Sequence, residues 1–156
     1  MADLISLEVT SDQITQAFSQ LVGRTSDFSS ITRQIAQDFM TQTALNFRAQ
    51  SGPDSSGTAQ PWVQSKRARL TGGQTLIDHE ILKNSIFPRS DSFSATVGGG
   101  VEYAAIHQFG GNAGRGRKTK LPARPFLPFG GANGEALQVE ALEQVVETIT
   151  NHIAKQ

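Results

Sequence analysis

Residues 101–111, VEYAAIHQFGG, are answered a short way along the chain by residues 121–131, LPARPFLPFGG. Each half carries apolar and aromatic side chains that favour burial, and each closes on a Gly pair that ends an element. Between them, residues 114–120 read GRGRKTK, four cations and two glycines that cannot enter a core. Two ordered segments therefore flank a charged protrusion. That layout suits a surface reaching into a neighbour better than a site closing over a small substrate.

At 156 residues the chain is expected to form one domain over 1–156, large enough to bury a core. Its apolar fraction of 37% is low for a globular protein, which implies a modest core carrying long polar loops. Formal net charge is zero, so bulk charge gives no support to nucleic-acid binding. The charge is nonetheless segregated. Residues 61–130 hold ten Lys/Arg against four Asp/Glu, and the two terminal segments carry the opposite excess. A basic middle with acidic ends lets copies dock head to tail through complementary faces. The absence of cysteine excludes disulfides and thiol catalysis. No apolar run approaches the ~18 residues that span a bilayer. The opening MADLISLEVTSD lacks the basic and apolar regions of a signal peptide, so a cytosolic site of synthesis is expected.

Periodicity sets out the rest. Residues 4–9 alternate as a short strand, and T-S-D-Q from Thr10 is a capping-box pattern before a helix at 11–22. Ile14, Phe18, Leu21 and Val22 line that helix, and Gly23 stops it. Ser26-Asp27 caps a long amphipathic helix over 28–50, with Ile31, Ile35, Phe39, Thr43 and Phe47 recurring every four residues. Residues 51–60 read as a loop, and Pro61-Trp62 resumes order. Short helices are predicted at 64–70 and 76–86, and a half-exposed strand at 93–97. Residues 101–109 read as a strand or bulge passing into a helical turn. Residues 124–127, beside Pro122 and containing Pro125, suit an edge strand. A last helix is predicted over 135–155. Long N- and C-terminal amphipathic helices packed on a small antiparallel sheet make the fold α+β.

Three stretches of the chain carry residues with chemical potential. Residues 111–119, GNAGRGRKT, resemble G-x-x-x-x-G-K-[ST], but Arg117 is inserted before the lysine, which breaks the phosphate-cradling geometry. Asp78-His79-Glu80 places three ligand types in succession, yet neighbours on a helix face different ways. The three histidines lack metal-ligand spacing, and His107 reads as a hydrogen-bonded structural residue rather than a base. No catalytic residue, metal site or cofactor is expected. The third chemistry is electrostatic contact through Arg115, Arg117, Lys118, Lys120 and Arg124, in a basic Gly-rich loop at 111–121. A protein partner is favoured there, with a DNA backbone or an idle solvated loop as the alternatives; no aromatic is interleaved to stack bases. Trp62, Tyr103, His107, Phe109 and Phe126, with Phe39 and Phe47, are expected in the core or in a subunit interface.

Taken in order, Pro61-Trp62, LIDHEILKNSI (76–86), YAAIHQFG (103–110) and PARPFL (122–127) resemble the phage virion morphogenesis family, the group of the phage Mu G protein and the P2-like tail-completion protein S. The resemblance spans about residue 31 to the C-terminus. One departure concerns the turn before Ile81. The family pattern L-x-x-T-G-x-L-x-x-S-I meets His79-Glu80 here where Thr-Gly is usual. The resemblance implies an α+β domain and a non-catalytic role in virion assembly. That role is tail completion or head–tail joining at the neck, as a homo-oligomeric, hexameric ring. Implied partners are other phage neck, tail-tube or connector proteins, with packaged DNA as a further contact and no membrane. The protein would be found in the virion, and in the host cytoplasm during assembly. In a sixfold ring the five basic residues would gather roughly thirty positive charges. A capsid-assembly factor, or a module contacting DNA through residues 114–124, is the alternative.

Overall fold

The structure, a computed structural model, describes residues 27–155. The strand expected at 4–9 and the helix at 11–22 lie outside them. Helix α1 runs Ser29–Ala49, and Ile31, Ile35, Phe39, Thr43 and Phe47 are all buried, with Thr32, Ala36, Gln42 and Asn46 beside them. A four-residue repeat drifts round a 3.6-residue helix, and the flanking positions widen the stripe into a full face. The Asp27 carboxylate accepts from the Ser29 N–H at 2.9 Å, satisfying one orphan donor of the first turn. Gln50, with a left-handed backbone (φ 54°), ends the helix. Its side-chain amide exchanges hydrogen bonds with the Thr75 backbone, 3.1 Å to the carbonyl and 2.6 Å from the N–H.

The strands of the described residues form four separate antiparallel hairpins, where a single small sheet was expected. β1 (Ser51–Pro53) pairs with β2 (Ala59–Pro61), and β3 (Ile86–Ser90) with β4 (Ala95–Gly99). β5 (Gly111–Ala113) pairs with β6 (Thr119–Leu121), and β7 (Phe129–Gly130) with β8 (Ala136–Leu137). Pro53, Pro61 and Pro88 each stand in a strand and have no N–H to offer a further neighbour. Strands so short and so interrupted stop at pairs.

The described residues hold four more α-helices: α2 (Lys66–Thr71), α3 (Ile81–Asn84), α4 (Ala104–Phe109) and α5 (Val139–Ala154). α2 matches the short basic helix expected at 64–70. The helix expected at 76–86 shrinks to α3, because Ile86 opens β3 and Gln74 bridges to Ile77 ahead of it. The strand expected at 93–97 is β4, shifted by two residues because Asp91 holds a turn, accepting from the N–H groups of Phe93 and Ser94. Of the strand or bulge expected at the start of 101–109 none forms, and residues 101–103 turn directly into α4. The C-terminal helix starts at Val139, since Ala136-Leu137 belong to β8.

α1 packs against α5 and against the β3–β4 hairpin. Ala141, Val145 and Ile149 of α5 and Ile86 and Val97 of the hairpin close on its buried face. The remaining wall is the stretch from Phe126 to Phe129. Phe126 lies 5.6 Å from Phe47 and Phe129 lies 5.2 Å from Phe39, measured between ring centroids. Eight residues of helix rise ~12 Å, and three extended residues cover ~10 Å. The spacing of F-L-P-F thus matches two turns of α1, run antiparallel to it.

Candidate functional site

The two segments that dominate the sequence meet through one buried glutamine. Gln108, on α4, is 2% exposed. Its side-chain oxygen accepts from the N–H groups of Phe126 and Leu127, both at 3.0 Å, and its nitrogen donates to the Phe129 carbonyl at 2.7 Å. Residues 124–127 form no edge strand, contrary to expectation, because side chains replace the ladder. The Trp62 indole donates to the Pro125 carbonyl at 2.9 Å, and Asn46 donates to the Phe126 carbonyl at 3.2 Å. Asn46 and Gln138 then exchange a reciprocal amide pair at 2.8 and 3.0 Å, tying α1 to the start of α5. Prolines at 122, 125 and 128 remove three donors from this stretch. Burial of the remaining backbone groups demands partners, and the amides supply them. Gly52 makes room: a Cβ there would overlap the Pro125 carbonyl.

This frame carries the basic protrusion, which is a hairpin. β5 and β6 are its arms, with Gly111 opposite Leu121 and Ala113 opposite Thr119. The tip turns through positive φ at Gly114 (76°), Gly116 (70°) and Arg117 (52°), with one 3-10 turn at Arg115–Arg117. β6 returns where a phosphate-binding loop needs a helix N-terminus, so no nucleotide cradle forms. Arg115, Arg117, Lys118 and Lys120 are exposed and make no ion pair with any described residue. Arg124 does not join them, which corrects its assignment to the contact set. It is 6% exposed, and its Nε donates to the Val63 carbonyl at 2.7 Å. Its own N–H donates to the His107 carbonyl at 2.8 Å, fixing the register of the two segments.

The aromatic set divides. Phe39, Phe47, Trp62 and Phe126 are buried, Phe109 is half-buried, and Tyr103 is 42% exposed. Tyr103 is therefore no core residue of the single chain. Its ring stands edge-on to His107 at 5.9 Å. His107 is half-buried, and its Nδ1 lies inside without a hydrogen-bond partner among the described residues, contrary to the hydrogen-bonded role expected of it. Burial, with the nearby Arg124 cation second, lowers its pKa below the ordinary imidazole value. Tyr103 and His107 line a shallow cleft with Arg67, Asp78, His79 and Ile81. His79 there is largely exposed and 3.7 Å from Asp78, and no cluster of three metal-ligating side chains exists among the described residues.

Sequence reading missed Gln108, Asn46 and Gln138. A buried amide leaves no periodic trace, and its only mark is a polar residue at an apolar register position of a helix, as Asn46 stands one residue before Phe47.

Glu80, which stands where the family pattern usually has glycine, takes a left-handed backbone (φ 57°, ψ 11°) that a glycine would adopt without strain.

No solved structure matches the chain. The Mu-like prophage FluMu G protein 2 of Haemophilus influenzae (strain ATCC 51907 / DSM 11121 / KW20 / Rd) is 38% identical over 125 residues, covering 80% of this chain and 83% of that protein. The model of the phage virion morphogenesis family matches residues 9–153. The match includes both segments joined by Gln108, α1, α5 and the basic hairpin, and the chain belongs to the phage virion morphogenesis family.

Proposed function

We propose that the protein is a non-enzymatic structural component of the phage neck, acting as an oligomeric ring in tail completion or head–tail joining. The observation that carries this reading is the β5–β6 hairpin, four exposed cations held by glycines on a frame stitched rigidly beneath them. A contact element needs a rigid base and a solvated tip. Membership of a virion morphogenesis family supports the assembly role, and the segregated charge supports self-association. The virion is the expected location. No described helix is long and apolar enough to cross a membrane.

The test is a phage lacking this protein, imaged by negative stain. Full heads beside free tails are expected, and the wild-type chain supplied in trans should restore joined particles. Absent or aberrant heads would instead establish a capsid-assembly role. A second reading rests on the same cations: they suit the phosphates of duplex DNA, with an affinity that falls steeply with salt. Duplex binding at low salt that disappears when the four residues are neutralised would support it.

A further inference from the structure

We propose that the β5–β6 hairpin of one copy docks on the outer face of α5 of the next. This inference rests on the oligomeric reading above and names the surfaces that would build it. The inner face of α5 is spent on the core through Ala141, Val145 and Ile149. Its outer face is two stripes side by side. Val139, Leu142 and Val146, spaced i, i+3, i+7, form an apolar stripe at the edge of the core; Leu142 and Val146 are half-buried against it, and Val139 is 44% exposed. Glu140, Glu143 and Glu147 repeat the same spacing beside it, all exposed. Together Leu142, Glu143, Val146 and Glu147 line a shallow groove along the helix.

Hairpin and groove are complementary in charge, in length and in chemical type. None of the three glutamates pairs with a described cation, and none of the four hairpin cations pairs with a described carboxylate. Each surface is thus without an ionic partner among the described residues of its own copy. Glu140 and Glu147 stand ~10 Å apart along the axis at 1.5 Å per residue. The tip of a hairpin, with arms ~4.8 Å apart and side chains splayed to both sides, spans about the same distance. Lys and Arg lay their aliphatic stems on apolar surface while the charged head reaches outward, so stems against the valine–leucine stripe and heads against the glutamates use both stripes at once. The two surfaces differ, so the contact is heterologous and propagates around a ring. A hairpin tip covers less than the ~800 Å² per partner of a standard stable interface, so the contact should be sensitive to salt.

Two variants of the full chain test it. The first carries R115E, R117E, K118E and K120E; the second carries E140K, E143K and E147K. Circular dichroism establishes that both fold, and sedimentation velocity reads their mass. The wild type should self-associate at low salt and dissociate near 1 M, where screening falls to ~3 Å. Each variant alone should be monomeric. An equimolar mixture should recover the wild-type mass, because acidic hairpins then face basic helices and basic hairpins face acidic ones. In the wild type a zero-length carbodiimide should join Lys118 or Lys120 to Glu143 or Glu147 of another copy.

The contact is overturned if either variant alone keeps the wild-type mass, or if the mixture stays monomeric. It is overturned equally if the hairpin variant loses duplex-DNA binding while its mass is unchanged, which would assign the tip to DNA. A wild-type chain that is monomeric yet enters particles overturns this contact and leaves the assembly reading standing. A chain absent from particles overturns the assembly reading itself.

Discussion

Three side chains carry predictions at the scale of the residue. Gln108 satisfies the buried N–H groups of Phe126 and Leu127, which lie in no ladder, and the buried carbonyl of Phe129. Each orphaned buried group costs about 1–3 kcal/mol. Gln108→Leu, which keeps the bulk, should therefore cost at least ~3 kcal/mol, read as a shift in the urea midpoint followed by the single tryptophan. Glu80→Gly should act in the opposite sense. It relieves a left-handed backbone that costs a non-glycine residue about 1–2 kcal/mol, and gives up one exposed pair with Lys83 at 3.3 Å, worth ~0–1 kcal/mol. A gain in Tm is expected. His107 gives a pH dependence. Its pKa is lowered by burial, so the unfolded chain takes up a proton that the folded chain resists. Stability is then complete above the ordinary imidazole value and is lost as pH falls below it, towards the lowered folded value. His107→Phe should flatten the fall in urea midpoint between pH 7.5 and 5.5. The carboxylates with shifted pKa values are lowered, so they stay ionised in that window.

At the scale of the element, α1 was legible to within a residue or so at either end, because a buried face on a long helix writes its period into the sequence. The hairpin arms and the stretch 124–127 were not legible. Their conformation is decided by partners distant in sequence: Asn46, Trp62 and Gln108 hold the proline-rich run, and nothing within PARPFL announces them. The helix expected at 76–86 is cut short to α3 for a related reason, since Leu76 and Ile77 are recruited to the core by a bridge and a turn. Composition marks the basic run as a protrusion but also groups Arg124 with it, because sequence distance hides a change of environment at Pro122. The hairpin itself contributes no residue to the core cluster. Replacing residues 114–118 by Asn-Gly, a turn that joins two antiparallel arms directly, should leave Tm within a few degrees of wild type. The same change should abolish self-association, so that thermal melting and sedimentation together separate contact from stability.

At the scale of the whole molecule, the described residues bury a continuous core beneath α1 yet leave Tyr103 and Ile81 lining an open cleft, 42% and 57% exposed. Aromatic and aliphatic side chains placed together on a solvated rim, beside His107 and Arg67, offer a surface that an assembly could cover. The chain contains one tyrosine, so its modification reports on this cleft alone. Nitration of the isolated, monomeric chain should proceed readily at Tyr103. In assembled particles, nitration should slow at least tenfold if the cleft is covered by a neighbouring subunit or partner. Equal rates in both states would place the cleft outside every interface and leave the hairpin and the outer face of α5 as the surfaces by which the protein assembles. Tyr103→Ala distinguishes the structural contribution from the contact. A residue so exposed should shift the urea midpoint little, whereas a central interface aromatic should reduce particle yield strongly. Loss of yield with an unchanged midpoint is the expected result.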